Sequence, residues 1–143
     1  MTSTQSRSDF SGVWELNFEK SSLRGPAPER ILMKIDHKEP RLVQEIFVTI
    51  AGGKEQRMAF NLEIGAETTN PMGGATARNH AWWQEQELVI ESKVSLSGRE
   101  AYFKDHWSLS EDGQTLTMEH RDDDLAGQIA VLEKRSSTRT AEL

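Results

Sequence analysis

Apolar residues occupy alternate positions through most of this chain. Trp14, Leu16 and Phe18 alternate with Val13, Glu15 and Asn17 just after Gly12. Ile31, Met33, Ile35 and His37 share one phase, and Leu42, Gln44, Ile46, Val48 and Ile50 run against Val43, Glu45, Phe47 and Thr49. A repeat of two is the period of a strand with one buried face. The alternation returns at Met58, Phe60, Leu62 and Ile64, at Leu88, Ile90 and Val94, at Phe103, Trp107 and Leu109, and at Leu116, Met118 and His120. Turn signals separate the runs: Glu39-Pro40, Gly52-Gly53, Glu85-Gln86, Ser97-Gly98 and Glu111-Asp112-Gly113-Gln114. Asp-Gly in particular suits positive φ. Gly25-Pro26-Ala27-Pro28 prevents a helix after the first run and predicts an extended crossing loop. Residues 65–75, which include Asn70-Pro71-Met72-Gly73-Gly74, read as an irregular and mobile connection.

About ten short strands joined by tight turns make an antiparallel meander, and closing it removes its exposed edges. The expected fold is therefore all-β, a closed antiparallel up-and-down barrel of roughly eight to ten strands. It occupies residues 10–135, between a flexible N-terminal tail at 1–9 and a second tail at 136–143. In this reading Trp14 plugs one end. The 143 residues suffice for one domain with a core of its own. A hydrophobic share of 36% beside a charged share of 28% suits thin walls that show one face to water.

The formal net charge of -6 argues against a nucleic-acid surface and against docking on anionic lipid. The chain has no cysteine, so disulfides and thiolate metal sites are excluded. No run approaches the roughly 20 apolar residues of a membrane-spanning helix. The first ten residues hold no apolar signal core. As given, the chain reads as cytoplasmic, or as secreted or periplasmic if a leader was removed, and the compartment stays open.

Phe10-Ser11-Gly12-Val13-Trp14 resembles the N-terminal Gly-x-Trp signature of lipocalins and other calycins. The resemblance implies that the Trp closes one barrel end against a basic residue late in the chain, for which Lys134 and Arg135 are the positions available. The chain is more closely similar to small bacterial lipocalin-like proteins of uncharacterised function. The similarity rests on Gly12-Val13-Trp14-Glu15-Leu16, Lys20-Ser21 and Pro26-Ala27-Pro28. It continues at Trp83 with Leu88-Val89-Ile90, and at Trp107-Ser108-Leu109-Ser110-Glu111-Asp112-Gly113 with Leu116. Such proteins carry Thr-Asp-Gly where this chain has Thr69-Asn70-Pro71, so a remodelled hairpin is expected there. The helix-turn-helix lid of fatty-acid-binding proteins does not fit the short, proline-rich 19–29.

Taken by apolar content, the inward phase holds Met33, Ile35, His37, Ile46, Val48, Met58, Phe60, Leu62, Trp83, Leu88, Ile90, Trp107, Leu116, Met118 and His120. From these, Met33, Ile35, His37, Met58, Phe60, Trp83, Trp107, Met118 and His120 are the candidate ligand contacts. Methionines adapt to ligand shape, and they also simply fill cores. His37 and His120 stand at strand ends, where each serves a ligand, acid–base chemistry or a metal, or merely sits half wet at the barrel mouth. With Tyr102 and Glu45 they are the catalytic candidates. His80 and His106 fall in the outward phase. No His-x-His or His-x-x-x-His spacing occurs, so neither a metal nor a cofactor is implied. Asp122-Asp123-Asp124 lacks calcium-loop spacing and reads as a solvated hairpin. Gly52-Gly53 and Gly73-Gly74 lack the features of phosphate loops, and no serine stands in a nucleophile elbow. Trp82 points outward with Arg78 and His80, which suggests a homodimer patch.

The expected function is binding of a small, largely apolar molecule inside the barrel. One alternative is isomerase- or cyclase-type chemistry on such a molecule in the same lumen. Another is a filled barrel acting as an interaction module through its surface.

Overall fold

The computed structural model describes residues 8–23, 27–72, 74–122 and 127–135. These form ten strands: β1 (Gly12–Leu16), β2 (Arg30–Lys38), β3 (Arg41–Thr49), β4 (Glu55–Glu63), β5 (Glu67–Met72), β6 (Ala75–Gln84), β7 (Glu87–Leu96), β8 (Arg99–Leu109), β9 (Thr115–Asp122) and β10 (Gly127–Lys134). Each strand pairs antiparallel with its chain neighbours except β4 with β5, and β1 pairs with β10, in the order β4-β3-β2-β1-β10-β9-β8-β7-β6-β5. The meander thus rolls into a nearly closed barrel with no helix among the described residues. Its one seam lies between β4 and β5. Residues 1–7 of the expected N-terminal tail at 1–9, the expected C-terminal tail at 136–143, and Asp123 and Asp124 of the acidic run lie outside the described residues.

The turns follow their residues. Ser97 and Gly98 both take positive φ, 51° and 80°, in the two-residue loop from β7 to β8. That geometry matches the right-handed twist of the flanking strands. The Lys20-Ser21 dipeptide has a structural task. Ser21 Oγ accepts the Val131 N–H at 2.9 Å, and Lys20 Nζ lies 3.1 Å from Glu133, so the chain leaving β1 is fastened to β10.

Residues 65–75 differ from the expected irregular connection. Gly65 turns the chain, and β5 and the start of β6 then follow in regular register, with Pro71 opposite Thr76. A proline fits because β5 is a seam strand whose other edge carries no ladder to interrupt. Asn70 takes over part of that missing ladder. Its Oδ1 accepts the Asn61 N–H at 2.8 Å and its Nδ2 donates to Asn61 O at 3.0 Å, so one carboxamide pairs with β4 as a peptide group does. Nearer the β2–β3 turn, Ile64 N–H donates to Pro40 O and Gly65 N–H to Ala81 O, each at 2.7 Å.

The core is densest at the end that holds Trp14. Trp14 is fully buried, and its indole N–H donates to Phe10 O at 3.0 Å. Lys134 Nζ stands 5.7 Å from the centre of the indole ring, so Lys134 is the basic partner, while Arg135 turns to Glu15 at 3.3 Å. The glycine of the Gly-x-Trp signature now has a physical reason. Gly12 has φ of 144°, and a Cβ there would lie 2.8 Å from Lys134 Cε. Glycine takes this positive φ without strain, and a Cβ there would push the flexible lysine stem aside.

Candidate functional site

The two ends of the barrel are built differently, and that difference locates the site. At the Trp14 end, Phe10 is fully buried and packs on three rings: His37 at 5.8 Å, Trp83 at 6.0 Å and, edge-on, Trp107 at 5.6 Å between centroids. Edge and stacked aromatic contacts at these distances are favourable beyond the area they bury. His37 secures the segment before β1. Its Nδ1 accepts the Phe10 N–H at 3.2 Å, its Nε2 lies 2.8 Å from Glu39 Oε1, and its backbone exchanges hydrogen bonds with Ser11. The other Glu39 oxygen takes the Trp83 indole N–H at 3.0 Å. Ser8 hydroxyl donates to Gln86 O at 2.9 Å, which ties the segment before β1 to the β6–β7 turn. Burial pulls the Asp9 carboxyl upward, but Ser11 donors and the neighbouring His37 and Lys134 outweigh it and hold it below its ordinary value. This end is plugged.

The other half of the barrel encloses a cavity of about 390 Å³ that opens to solvent. The volume lies within the ordinary range of small-molecule sites. Its wall is mainly apolar, from Leu16 and Leu23 through Ile31, Met33 and Ile46 to Ile90, Met118 and Ala130. Into it project polar side chains from strands on both sides of the barrel: Gln44, Asn79, Ser92, Asp105, His120 and Gln128. Several of these are wired together. Asn70 Nδ2 donates to Asn79 Oδ1 at 2.9 Å, and Asn79 Nδ2 donates to Ser92 Oγ at 2.7 Å, which carries the seam's polar network across β6 to β7. On β8 and β9, Asp105 Oδ1 and His120 Nδ1 are 2.6 Å apart, and the imidazole lies against Phe103 at 5.2 Å.

Solved structures share this architecture at low identity. Secretory abundant heat soluble protein 4 from Ramazzottius varieornatus matches with a TM-score of 0.66 at 13% identity, covering 94% of this chain and 100% of that one. A Schistosoma mansoni fatty acid binding protein in complex with arachidonic acid matches with a TM-score of 0.64 at 10% identity, covering 89% and 96%. Wild-type fluorescent protein UnaG matches with a TM-score of 0.61 at 14% identity, covering 88% and 97%. The fold is calycin-like. No protein-family model and no curated protein sequence matches the chain.

This barrel sorts the sequence-derived candidates. Met33, Met58, Phe60, Trp107, Met118 and His120 stand on the cavity wall. Ile35, His37 and Trp83 do not: they lie at the plugged end, where His37 and Trp83 join the aromatic stack. His37 and His120 therefore occupy opposite halves of the barrel, although both terminate strands. The reason is strand direction, since β2 runs toward the plug and β9 runs away from it. The His37 side chain is only 4% exposed, which removes it from any open mouth. Tyr102 and Glu45 face outward, where they hydrogen-bond Glu91 and Arg57. Of the four catalytic candidates, only His120 reaches the cavity.

The inward polar residues Gln44, Asn79, Ser92, Asp105 and Gln128 were not among the candidates, because the inward phase was chosen by apolar content. The phase itself contained them. Asp105 stands between Phe103 and Trp107, Gln44 between Leu42 and Ile46, and Asn79 between Ala77 and Ala81. Met58 is inward but 39% exposed, because β4 borders the seam at the open half. The β1–β2 connection shows a turn at Phe18–Lys20 and a single bridge from Ser22 to Ile129, with no helical lid among its described residues. Among the described residues, no group of three or more His, Asp or Glu is placed to hold a metal ion, and no helix is long and apolar enough to cross a membrane.

Proposed function

We propose that the barrel binds a small, largely apolar molecule in its open half. The observation that carries this is the 390 Å³ cavity, apolar over most of its wall and closed at the other end by the aromatic plug. Apolar surface removed from water there contributes roughly 25 cal/mol per Å². The inward polar groups fix the orientation of the bound molecule. Proteins of the same fold include one described as fatty acid binding, which supports the reading by analogy of architecture.

The test is native mass spectrometry of the purified protein, followed by thermal shift with lipids and terpenoids. A saturable shift that disappears in Ala130→Trp, where the indole fills the cavity, supports binding. No shift with any compound overturns it. A second reading, catalysis on the bound molecule, is favoured by the Asp105–His120 pair, in which the carboxylate orients an imidazole facing the lumen. In that case His120→Ala lowers turnover more than affinity. The outer face supports self-association as a homodimer. There Val89 is fully buried between its cross-strand neighbours Trp82 and His106, and Trp82 stays partly exposed beside His80. Trp82→Lys then lowers the mass measured by light scattering.

A further inference from the structure

We infer that the Asp105–His120 pair is the polar end of the ligand site, and that it selects a headgroup that donates a hydrogen bond and carries no negative charge. The inference rests on the binding proposal above and narrows it to a ligand class: amphiphiles ending in an amine or a hydroxyl, and not in a carboxylate.

The charge distribution of the cavity carries the argument. Among the described residues that line it, Asp105 and His120 are the only titratable ones, and none is a lysine or an arginine. A carboxylate buried away from water needs a cation or several committed donors. Several donors in this wall are already in use. His120 Nδ1 is 2.6 Å from Asp105 Oδ1, and Asn79 Nδ2 donates to Ser92 Oγ at 2.7 Å. Gln44 Nε2 is directed at Met33 Sδ at 3.2 Å. When the imidazole is neutral the pair carries one net negative charge. When it is protonated the pair is neutral overall, and its positive charge is shared with Asp105. In neither state does the wall offer an unshared cation.

The same geometry suits a donor. Among the described residues Asp105 takes one hydrogen bond, from His120 on Oδ1, and its side chain is 24% exposed, on the cavity wall. An ammonium or hydroxyl group arriving there finds an acceptor with negative charge. The alkyl body then lies along Ile90, Met118 and Ala130. The imidazole is held against Phe103, so the carboxylate it contacts does not swing away from the lumen.

Three probes of equal chain length decide the matter: decylamine, decanol and decanoate, each below its micelle concentration. Isothermal calorimetry at about pH 8 compares decylamine as its ammonium with decanoate as its carboxylate. The expected result is that decylamine and decanol each bind at least about tenfold more tightly than decanoate. Asp105→Asn is expected to bring decylamine and decanoate within about threefold of each other. Ala130→Trp is expected to abolish all binding, which separates the cavity from amine attraction to the acidic surface. Decanoate binding as tightly as decylamine to the parent overturns the headgroup inference and leaves the apolar site standing. Amine binding that survives Ala130→Trp, or a preference unchanged in Asp105→Asn, also overturns it. If none of the three probes binds, the barrel-binding proposal falls as well. The parent series alone is decisive should Asp105→Asn fail to fold, which its melting curve reports.

Discussion

The plugged and open halves of this barrel are made by the same ten strands, yet they spend their inward positions in opposite ways. At the plugged end those positions carry Trp14, Ile35, Leu42, Leu88 and Trp107, and Phe10 enters from outside the sheet to fill what remains. In the open half small or polar groups, Ser92, Asn79, Gln44 and Ala130, interrupt the apolar wall, and the lumen stays unfilled. Packing to interior density stabilises a barrel, and unfilled lumen forfeits those contacts. Stability is thus concentrated at one end, and the room for a ligand is concentrated at the other.

Substitutions at the two ends should accordingly differ in kind. The largest effect is expected for Trp14→Ala, a loss of about 3–5 kcal/mol in denaturant unfolding, because the indole is fully buried and also hydrogen-bonded to Phe10 O. A parent-like melt would remove the plug from the account. Next comes Asn70→Leu, which strands the Asn61 N–H and C=O at the seam and is expected to remove about 1–3 kcal/mol. Faster amide exchange at Asn61 identifies the seam as the cause. Gly12→Ala is expected to lose a similar amount, about 1–3 kcal/mol, through strain at positive φ and the clash with the Lys134 stem. Lys134→Ala should recover the part due to the clash and leave the part due to φ.

In the open half the expected stability changes are small. Met58→Ala should cost less than about 1 kcal/mol, since a side chain 39% exposed gives up little transfer energy. A large loss there would mean that the open half is as tightly packed as the plug. The smallest effect concerns pH. The Ser110 hydroxyl, with the Gln114 N–H, holds the Asp112 carboxyl below its ordinary value of 3.8 in the turn at the plugged end. A depressed carboxylate contributes stability above the unfolded value, and the contribution is lost as pH falls through the lower, folded value. Acid unfolding of Asp112→Asn should therefore show a slightly shallower pH dependence below 3.8 than the parent.

The alternation of Met33, Ile46, Phe60 and Met118 identified inward faces because a strand's side-chain period is fixed by its backbone alone. Turn residues such as Ser97-Gly98 set the hairpins for an equally local reason. Gly12-Val13-Trp14 was likewise legible as a plug, with Lys134 as the basic partner. Less legible was β5, whose Pro71 argues against a strand unless its outer edge is known to carry no ladder. Depth along the barrel was not legible at all. His37 and His120 look alike in sequence, each closing an apolar run, and only the directions of β2 and β9 send one to the plug and the other to the lumen. The pairing of Asp105 with His120 depends on cross-strand register between β8 and β9, a relation between positions far apart in the chain. Local chemistry thus determined the strands, their turns and their inward faces. Tertiary closure alone decided which inward residues fill the barrel and which stand around the space left inside it.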